Sequence, residues 1–531
     1  MFAAEKIPYN QTNAFSKIVN DYLDGSVQLQ PFYAERATIE GFEKTIEKKR
    51  AQNINRALLV SVLREQYANV VTASVVRENI ELLLSPESFT VCTAHQPNLF
   101  TGPLYFIYKI LHTIRLADHL KEHFPQNNFI PVYYMGSEDA DFAELNHTYV
   151  DGRKIEWKKE QKGSVGRMLV DQTLERLIDE LEGQLFSLPN GKEVLGLLRK
   201  CYIRGRNIQS ATFELVNELY GSYGLIVLIP DHPALKRQMQ SVFLDDLFHH
   251  TSSALVQHTS EALGKHYNVQ AHPREINLFY LADDVRERII RKEDHFIVHN
   301  TSIRFSDVEM RKELELHPER FSPNVILRGL YQETILPNLA FIGGGGEMAY
   351  WLQLKALFHH YHIVYPVLLL RNSFLIVEKK WKEKMDKLGL AAREFFGSEI
   401  ELMNRIVAMH AEHPVSLNGN FEMAEALFRQ ISTRAGAIDP TLTKHVAAIE
   451  ARSIKTLQEL EKKMLRAEKR KYTDQQRQVS AIKAALFPNK GLQERVENFS
   501  GFYAKWGRAF IEELYRNSLS LEQQFCVLTE Q

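Results

Sequence analysis

Several short apolar runs in this chain end in clusters of polar residues whose types and spacing could do chemistry. The first lies in T-A-H-Q-P-N-L-F-T-G-P-L-Y-F-I-Y-K, residues 93–109. His95 and Asn98, three apart with Gln96 between them, suit a phosphate or a leaving pyrophosphate. Thr101 opens a long amphipathic pattern, and Pro103 is predicted as a first-turn helical residue, where its missing N–H costs nothing. The cluster would then face a helix N-terminus, whose free N–H groups attract anions. The plainer alternative is a punctuated loop whose His caps the helix.

The second cluster is G-S-E-D-A-D-F-A-E-L-N-H, residues 136–147. Glu138, Asp139 and Asp141 could hold an ammonium group, coordinate Mg²⁺ or take a proton from an attacking amine. A solvated acidic loop is the alternative. Asn146 and His147 begin the next element; Glu144 and His147 could face one way, but two ligands do not make a metal site. The third cluster, G-G-G-G-E-M-A-Y-W at 343–351, is neither a P-loop nor a dinucleotide fingerprint. Its Gly344 and Gly345 permit close backbone approach to a ligand, Glu347 suits a first helical turn, and Tyr350 is either core or a ligand wall. Asn324, Arg328 and Gln332 recur at four-residue spacing, and Arg is a good fork for phosphate or carboxylate. Arg371, Asn372 and Ser373 follow another apolar run. Lys490, in a polar turn at 489–495, could reach a phosphate or simply start a helix.

The elements that must position these residues are legible as runs at 89–94, 130–135, 225–229, 340–342 and 363–370, with helical patterns between several of them. Right-handed crossovers then give a doubly wound α/β fold around a parallel sheet, with its ligand crevice beyond the carboxyl ends of the strands. The expected domains are N-terminal helices (1–87) and core over 1–254, a small α+β insertion at 255–325, and the core continued at 326–375. A helical arm follows at 376–487, and 488–531 returns to the core. Within the arm, 442–485 contains neither Gly nor Pro and predicts a rod about 65 Å long. Val446, Ile449, Leu457, Leu460, Met464 and Ala467 form its apolar stripe, as in a coiled coil, and 374–388 reads as a helix able to pack antiparallel to it. The basic run at 462–471 reads as a solvated face rather than a nucleic-acid site.

Composition narrows the function classes. Over 531 residues the formal net charge is −1, with no basic domain to bind nucleic acid. No apolar run is long enough to span a membrane and no signal-peptide pattern is present, so a cytoplasmic protein is expected. The three isolated cysteines form neither a disulfide framework nor a metal motif.

Together these strings resemble the bacillithiol-biosynthesis cysteine-adding enzymes, the BshC family. The matching pieces are L-F-T-G-P-L-Y-x-I-Y-K at 99–109, G-S-E-D-x-D-F-x-E-x-N-H at 136–147, S-P-N-V-x-x-R at 322–328, G-x-G-E-x-A-Y-W at 344–351, P-x-x-x-x-R-x-S at 366–373 and G-L-Q-E-R at 491–495. The resemblance implies a Rossmann-like core related to class I aminoacyl-tRNA synthetases, and a coiled-coil arm used in homodimerisation. It also implies amide formation between the cysteine carboxyl and the glucosamine amine of glucosaminyl malate. ATP as cosubstrate, with Mg²⁺, follows by fold analogy. His95 and Asn98 would then stabilise phosphate charge, assisted by Lys490 or Arg371, while Glu138, Asp139 or Asp141 binds the cysteine ammonium or deprotonates the sugar amine. His95 and Asn98 stand at the outer positions of the synthetase H-x-G-H signature, and K-M-D-K-L at 384–388 looks like a degraded K-M-S-K-S. Two other readings compete: a coiled-coil scaffold with a regulatory nucleotide site, and a nucleotidyltransferase of other metabolism.

Overall fold

A computed structural model describes residues 2–411 and 416–531. Five short strands form the central sheet: β1 (Ser88–His95), β2 (Asn128–Met135), β3 (Ile226–Leu228), β4 (Asn338–Gly343) and β5 (Val367–Leu370). All pair in parallel, in the spatial order β5-β4-β1-β2-β3. Their residues are almost all buried, as expected of strands covered by helices on both faces. The last apolar run shortens to β5 because Pro366 has no N–H to give to a ladder. Strand order reverses between β1 and β4, so the crevice between their carboxyl ends is the topological switch point of a Rossmann-like sheet.

The helix after β1, α1 (Tyr105–His123), lays Ile107, Ile110, Leu111 and Ile114 into the core. It starts two residues later than the Pro103 pattern predicts. Pro103 instead bridges Asn498 in an antiparallel pair, and Leu104 N–H donates to the Glu497 carbonyl at 2.8 Å. A distant segment thus takes over what local chemistry assigned to a helical first turn. Two further helices border the switch point, α2 (Val325–Ile335) and α3 (Gly345–Trp351). The 255–325 region contains four strands of an antiparallel meander, completed by Phe321–Pro323.

The chain ends differ from the sequence reading. Residues 2–8 are not helical: Phe2–Pro8 pairs antiparallel with Gln524–Glu530, which pairs parallel with Ser373–Val377. Partners more than 500 residues apart leave no mark on local periodicity. The same sheet claims the start of 374–388, so its helix is only Lys379–Leu388, packed on the C-terminal strand and the base of the arm.

The arm is α4 (Asn418–Ile438), α5 (Leu442–Lys469) and α6 (Thr473–Leu486). The antiparallel partner of α5 is α4, not the 374–388 segment. The expected continuous rod breaks at Arg470–Tyr472, where half-buried Tyr472 packs against the main core and lets Val479, Ile482 and Leu486 of α6 turn inward. Among the described residues no helix is long and apolar enough to cross a membrane.

Candidate functional site

The turn after β1 is held from several sides. The His95 carbonyl accepts from Tyr133 Oη at 3.1 Å and from Gly136 N at 2.8 Å, which fixes the backbone where the strand ends. The imidazole lies against the Tyr105 and Phe106 rings, with centroids 5.3 and 5.4 Å away. Its Nε2 is shielded from solvent and has no hydrogen-bond partner among the described residues; Asn98 Oδ1 and Thr101 Oγ1 share that condition. Burial, then the charges of Lys109, Arg328 and Arg371, push the His95 pKa well below its ordinary value. The ring is therefore neutral at pH 7. Phe100, Thr101 and Gly102 have φ of 50°, 70° and 67°, a costly run that persists because other groups hold it. Asn498 Nδ2 donates to the carbonyls of Phe100 (2.8 Å) and Gly102 (2.6 Å). A Cβ on Gly102 would lie 2.7 Å from that of Asn98, so only glycine fits.

After β2 the three carboxylates part company. Glu138 turns inward to an ion pair with buried Lys236, which also lies 3.3 Å from Asp231, itself gripped by both Nε (2.8 Å) and Nη2 (3.0 Å) of Arg167. Burial raises the Glu138 pKa, with Lys236 opposing. Asp139 accepts from Gln96 Nε2 at 3.2 Å and Ala140 N at 2.8 Å, and stands 3.8 Å from Arg328 Nη1. Burial would raise its pKa too, but the guanidinium groups of Arg328 and Arg286 hold it below its ordinary value. Asp141 is exposed at the start of a one-turn helix. Asn146 Nδ2 donates to the Trp157 carbonyl and Asn146 Oδ1 pairs with His147 Nδ1, so both residues shape the hairpin that follows.

At the glycine turn, Gly344 N–H donates to Glu347 Oε2 at 2.7 Å, and the same carboxylate pairs with buried Lys109. Lys109 also donates to the Ala94 carbonyl at 3.0 Å, stitching the end of β1 to α3. Gly345 and Gly346 line a cavity of about 670 Å³ with Phe15, Tyr267 and Arg495. Buried Arg371 reaches Glu494 Oε1 (2.7 Å) and Ser373 Oγ (3.0 Å), and its guanidinium lies 5.1 Å from the Tyr105 ring centre. Tyr350 lies beside Arg328, and burial pushes its hydroxyl up to about 12.

The structure thus gathers His95, Gln96, Asn98, Asp139, Glu347, Arg328, Tyr350 and Arg371 around the switch point. Asn324 stands apart from them, its Oδ1 capping α2 through Ile326 N and its Nδ2 bonding Asn277. Gln332 is likewise spent on Glu333, which leaves Arg328 as the member of that row that reaches the site. Exposed Lys490 lines an adjoining cavity of about 700 Å³ with Thr12, Tyr149 and Lys483, the two cavities sharing Ala14 and Arg495. Lys109, Arg167, Asp231, Lys236, Arg286 and Glu494 were not singled out from sequence. Lys109 had a signal, a lysine amid the buried face of an amphipathic helix; Asp231 ends the β3 run. Among the described residues no three His, Cys, Asp or Glu side chains gather to hold a metal.

Residues 2–372 match the family model described as the N-terminal Rossmann-like domain of bacillithiol biosynthesis BshC, and residues 374–530 match its C-terminal coiled-coil domain. A relative from Flavobacterium johnsoniae, named "Putative cysteine ligase BshC", is 42% identical over 98% of this chain and 99% of its own. Relatives of the same name come from Christiangramia forsetii, 38% identical over 98% of each chain, and Cytophaga hutchinsonii, 37% identical over 97% of each. With both halves matched and identity sustained from end to end, this chain belongs to the BshC family of bacillithiol biosynthesis.

Proposed function

We propose that this chain is an ATP-dependent carbon–nitrogen ligase that joins the carboxyl of cysteine to the glucosamine amine of glucosaminyl malate in the cytoplasm. The observation that carries the reading is His95 Nε2, shielded, without a partner among the described residues and set among Lys109, Arg328 and Arg371 at the switch point. A buried polar atom left unpaired costs free energy, and a ligand oxygen placed there would relieve it. A carboxylate and an amine do not condense in water, so the acid must first receive a leaving group, which ATP supplies. The residues present suit such an anion: neutral His95 can donate through Nε2, and Lys109 and Arg371 add positive charge. Mg²⁺ would arrive with the phosphates, and no protein ligand is assigned to it. Asp139, held ionised by two guanidinium groups, suits a substrate ammonium better than proton abstraction, because a carboxylate with a lowered pKa is a weak base. Glu138 is committed to Lys236 and supports the loop.

The test is direct. Purified protein is mixed with ATP, Mg²⁺, cysteine and glucosaminyl malate, and the amide is sought by mass spectrometry. Product that depends on the nucleotide supports the reading; its absence with every nucleotide rejects it.

The arm carries a second part of the proposal, a homodimer. None of the 21 residues of α4 is buried, and Met423, Leu427 and Ile431 on α4 with Leu460 on α5 are 63, 54, 40 and 47% exposed. An apolar stripe of that length calls for a partner, and a two-fold contact lets each copy cover the other.

A further inference from the structure

Six cations face the inner side of this edge, and they meet five carboxylates. Lys109 pairs with Glu347, Arg371 with Glu494, Lys236 with Glu138 and Arg167 with Asp231. Arg328 has Asp139 only at 3.8 Å. Arg286 has no carboxylate within 4 Å among the described residues. Its guanidinium lies over Phe279, 4.1 Å from the ring centre, and its Nε donates to buried Ser322 Oγ at 3.3 Å. Among the described residues its remaining N–H groups have no protein partner. A half-buried guanidinium that is held in place by Phe279 and Ser322 but meets no carboxylate is an incomplete ion pair.

Arg286 comes from the insertion, yet the insertion is docked on the loop after β2. The turn before it packs at Gly163, where an added Cβ would lie 2.6 Å from the Asp283 carbonyl. Two residues on, Val165 N–H donates to the Asp139 carbonyl at 2.8 Å. Burial lowers the Arg286 pKa, with Asp139 and Glu138 opposing and Arg328 adding to it, so these four groups share one neighbourhood. That neighbourhood gathers at the loop after β2.

We infer that Arg286 and Arg328 together seat a carboxylate of the sugar acceptor, the malate moiety, making Arg286 a specificity-determining residue supplied by the insertion. This rests on the ligase reading above. The occupant is a carboxylate rather than the nucleotide's phosphates because two guanidinium groups set against one ionised Asp139 leave a single positive charge, which one carboxylate neutralises. It is the acceptor's rather than cysteine's because the cysteine carboxyl must be free to take the leaving group and then meet the amine. A fork of N–H donors matches a carboxylate in both spacing and charge.

The experiment uses the full-length protein and Arg286→Gln, with Arg286→Lys as a variant that keeps the charge and bulk. KM values for glucosaminyl malate, cysteine and ATP are measured separately. Calorimetry with glucosaminyl malate, cysteine and inorganic phosphate measures binding without turnover. The expected result is a tenfold or greater rise in acceptor KM and Kd for Arg286→Gln, with cysteine and ATP within twofold and partial recovery in Arg286→Lys. The wild-type preference for glucosaminyl malate over methyl glucosaminide should shrink by the same factor. Unchanged acceptor binding in Arg286→Gln overturns the assignment. So does an effect that falls on phosphate and ATP, or on cysteine, instead. If the wild type makes no amide, the ligase reading fails, while calorimetry with glucosaminyl malate still decides whether Arg286 holds it. Should Arg286→Gln not fold, the same comparison in Arg286→Lys decides, with a threefold rise confined to the acceptor as the supporting result.

Discussion

Glu138 and Asp139 are neighbours in sequence, yet burial lifts the pKa of Glu138 against the pull of Lys236, while the guanidinium groups of Arg328 and Arg286 hold that of Asp139 down. Their neutral isosteres should therefore fail in different ways. Glu138→Gln leaves Lys236 buried beside Asp231 alone, and the expected loss of stability is about 3 kcal/mol, the scale of breaking a buried pair. Asp139→Asn should keep its melting temperature more nearly and lose turnover, with the rise in KM falling on an amine-bearing substrate. Thermal melts and steady-state kinetics on both variants separate these outcomes. His95→Ala should fold normally and raise the barrier by about 3 kcal/mol or more, roughly a hundredfold in rate, as for loss of one preorganised donor. A folded His95→Ala protein with unchanged turnover would remove His95 from the chemistry.

Among the elements, α1 ties the site to the C-terminal segment through His112. Its Nε2 lies 2.9 Å from the Ser520 carbonyl and its Nδ1 accepts the Asn372 N–H at 3.2 Å, a pattern that only the neutral ring can make. Burial is the main cause that pushes its pKa from 6.5 down to about 4. Below pH 6.5 the unfolded chain takes up a proton that the native state refuses. Stability is then lost as pH falls from about 6.5 to 4 and is flat above that window, with a total of about 3 kcal/mol for this residue. His95 adds to the loss with the same sign. The measurement is urea unfolding at pH 7.5 and pH 4.5 for the wild type and His112→Gln. The variant should be less stable at pH 7.5 but show a shallower acid loss; an equal loss in both would place the acid sensitivity elsewhere. Because Asn372 adjoins Arg371, the same protonation should loosen the Arg371–Glu494 pair and depress turnover in acid.

For the whole molecule, the arm is the part that carries an apolar stripe left exposed on a single chain. Leu427, Ile431 and Leu460 are exposed, so replacing all three by Glu costs a single chain little, whereas in a dimer it buries unpaired charge. Sedimentation at micromolar concentration should show a wild-type dimer and a triple variant that is monomeric with an unchanged core melting transition. A wild-type monomer, or a triple variant that stays dimeric, would assign the stripe another purpose.

The five core strands were legible because a buried parallel strand must be a continuous apolar run, a purely local property of β1 to β5. His95, Asn98, Asp139 and Arg371 were legible for a related reason, since polar residues just beyond such runs fall at one edge of the sheet. The meander of the insertion showed in its alternation, and α5 in its unbroken helical pattern. Local pattern was silent wherever the partner was remote. The Phe2–Pro8 strand exists only because Gln524–Glu530 lies beside it, and Pro103 left the helix because Asn498 competes for it. α4, not 374–388, covers α5, since the Ser373–Val377 strand is drawn into the terminal sheet. The same holds for charge. Which carboxylate meets Lys236 and which faces Arg328 is decided by tertiary packing, and Arg286, which meets none among the described residues, reaches the loop after β2 only through the docking of an insertion more than 100 residues away. Residue type sets what chemistry is available; burial and partner, which only tertiary packing decides, set which of those groups is left free to perform it.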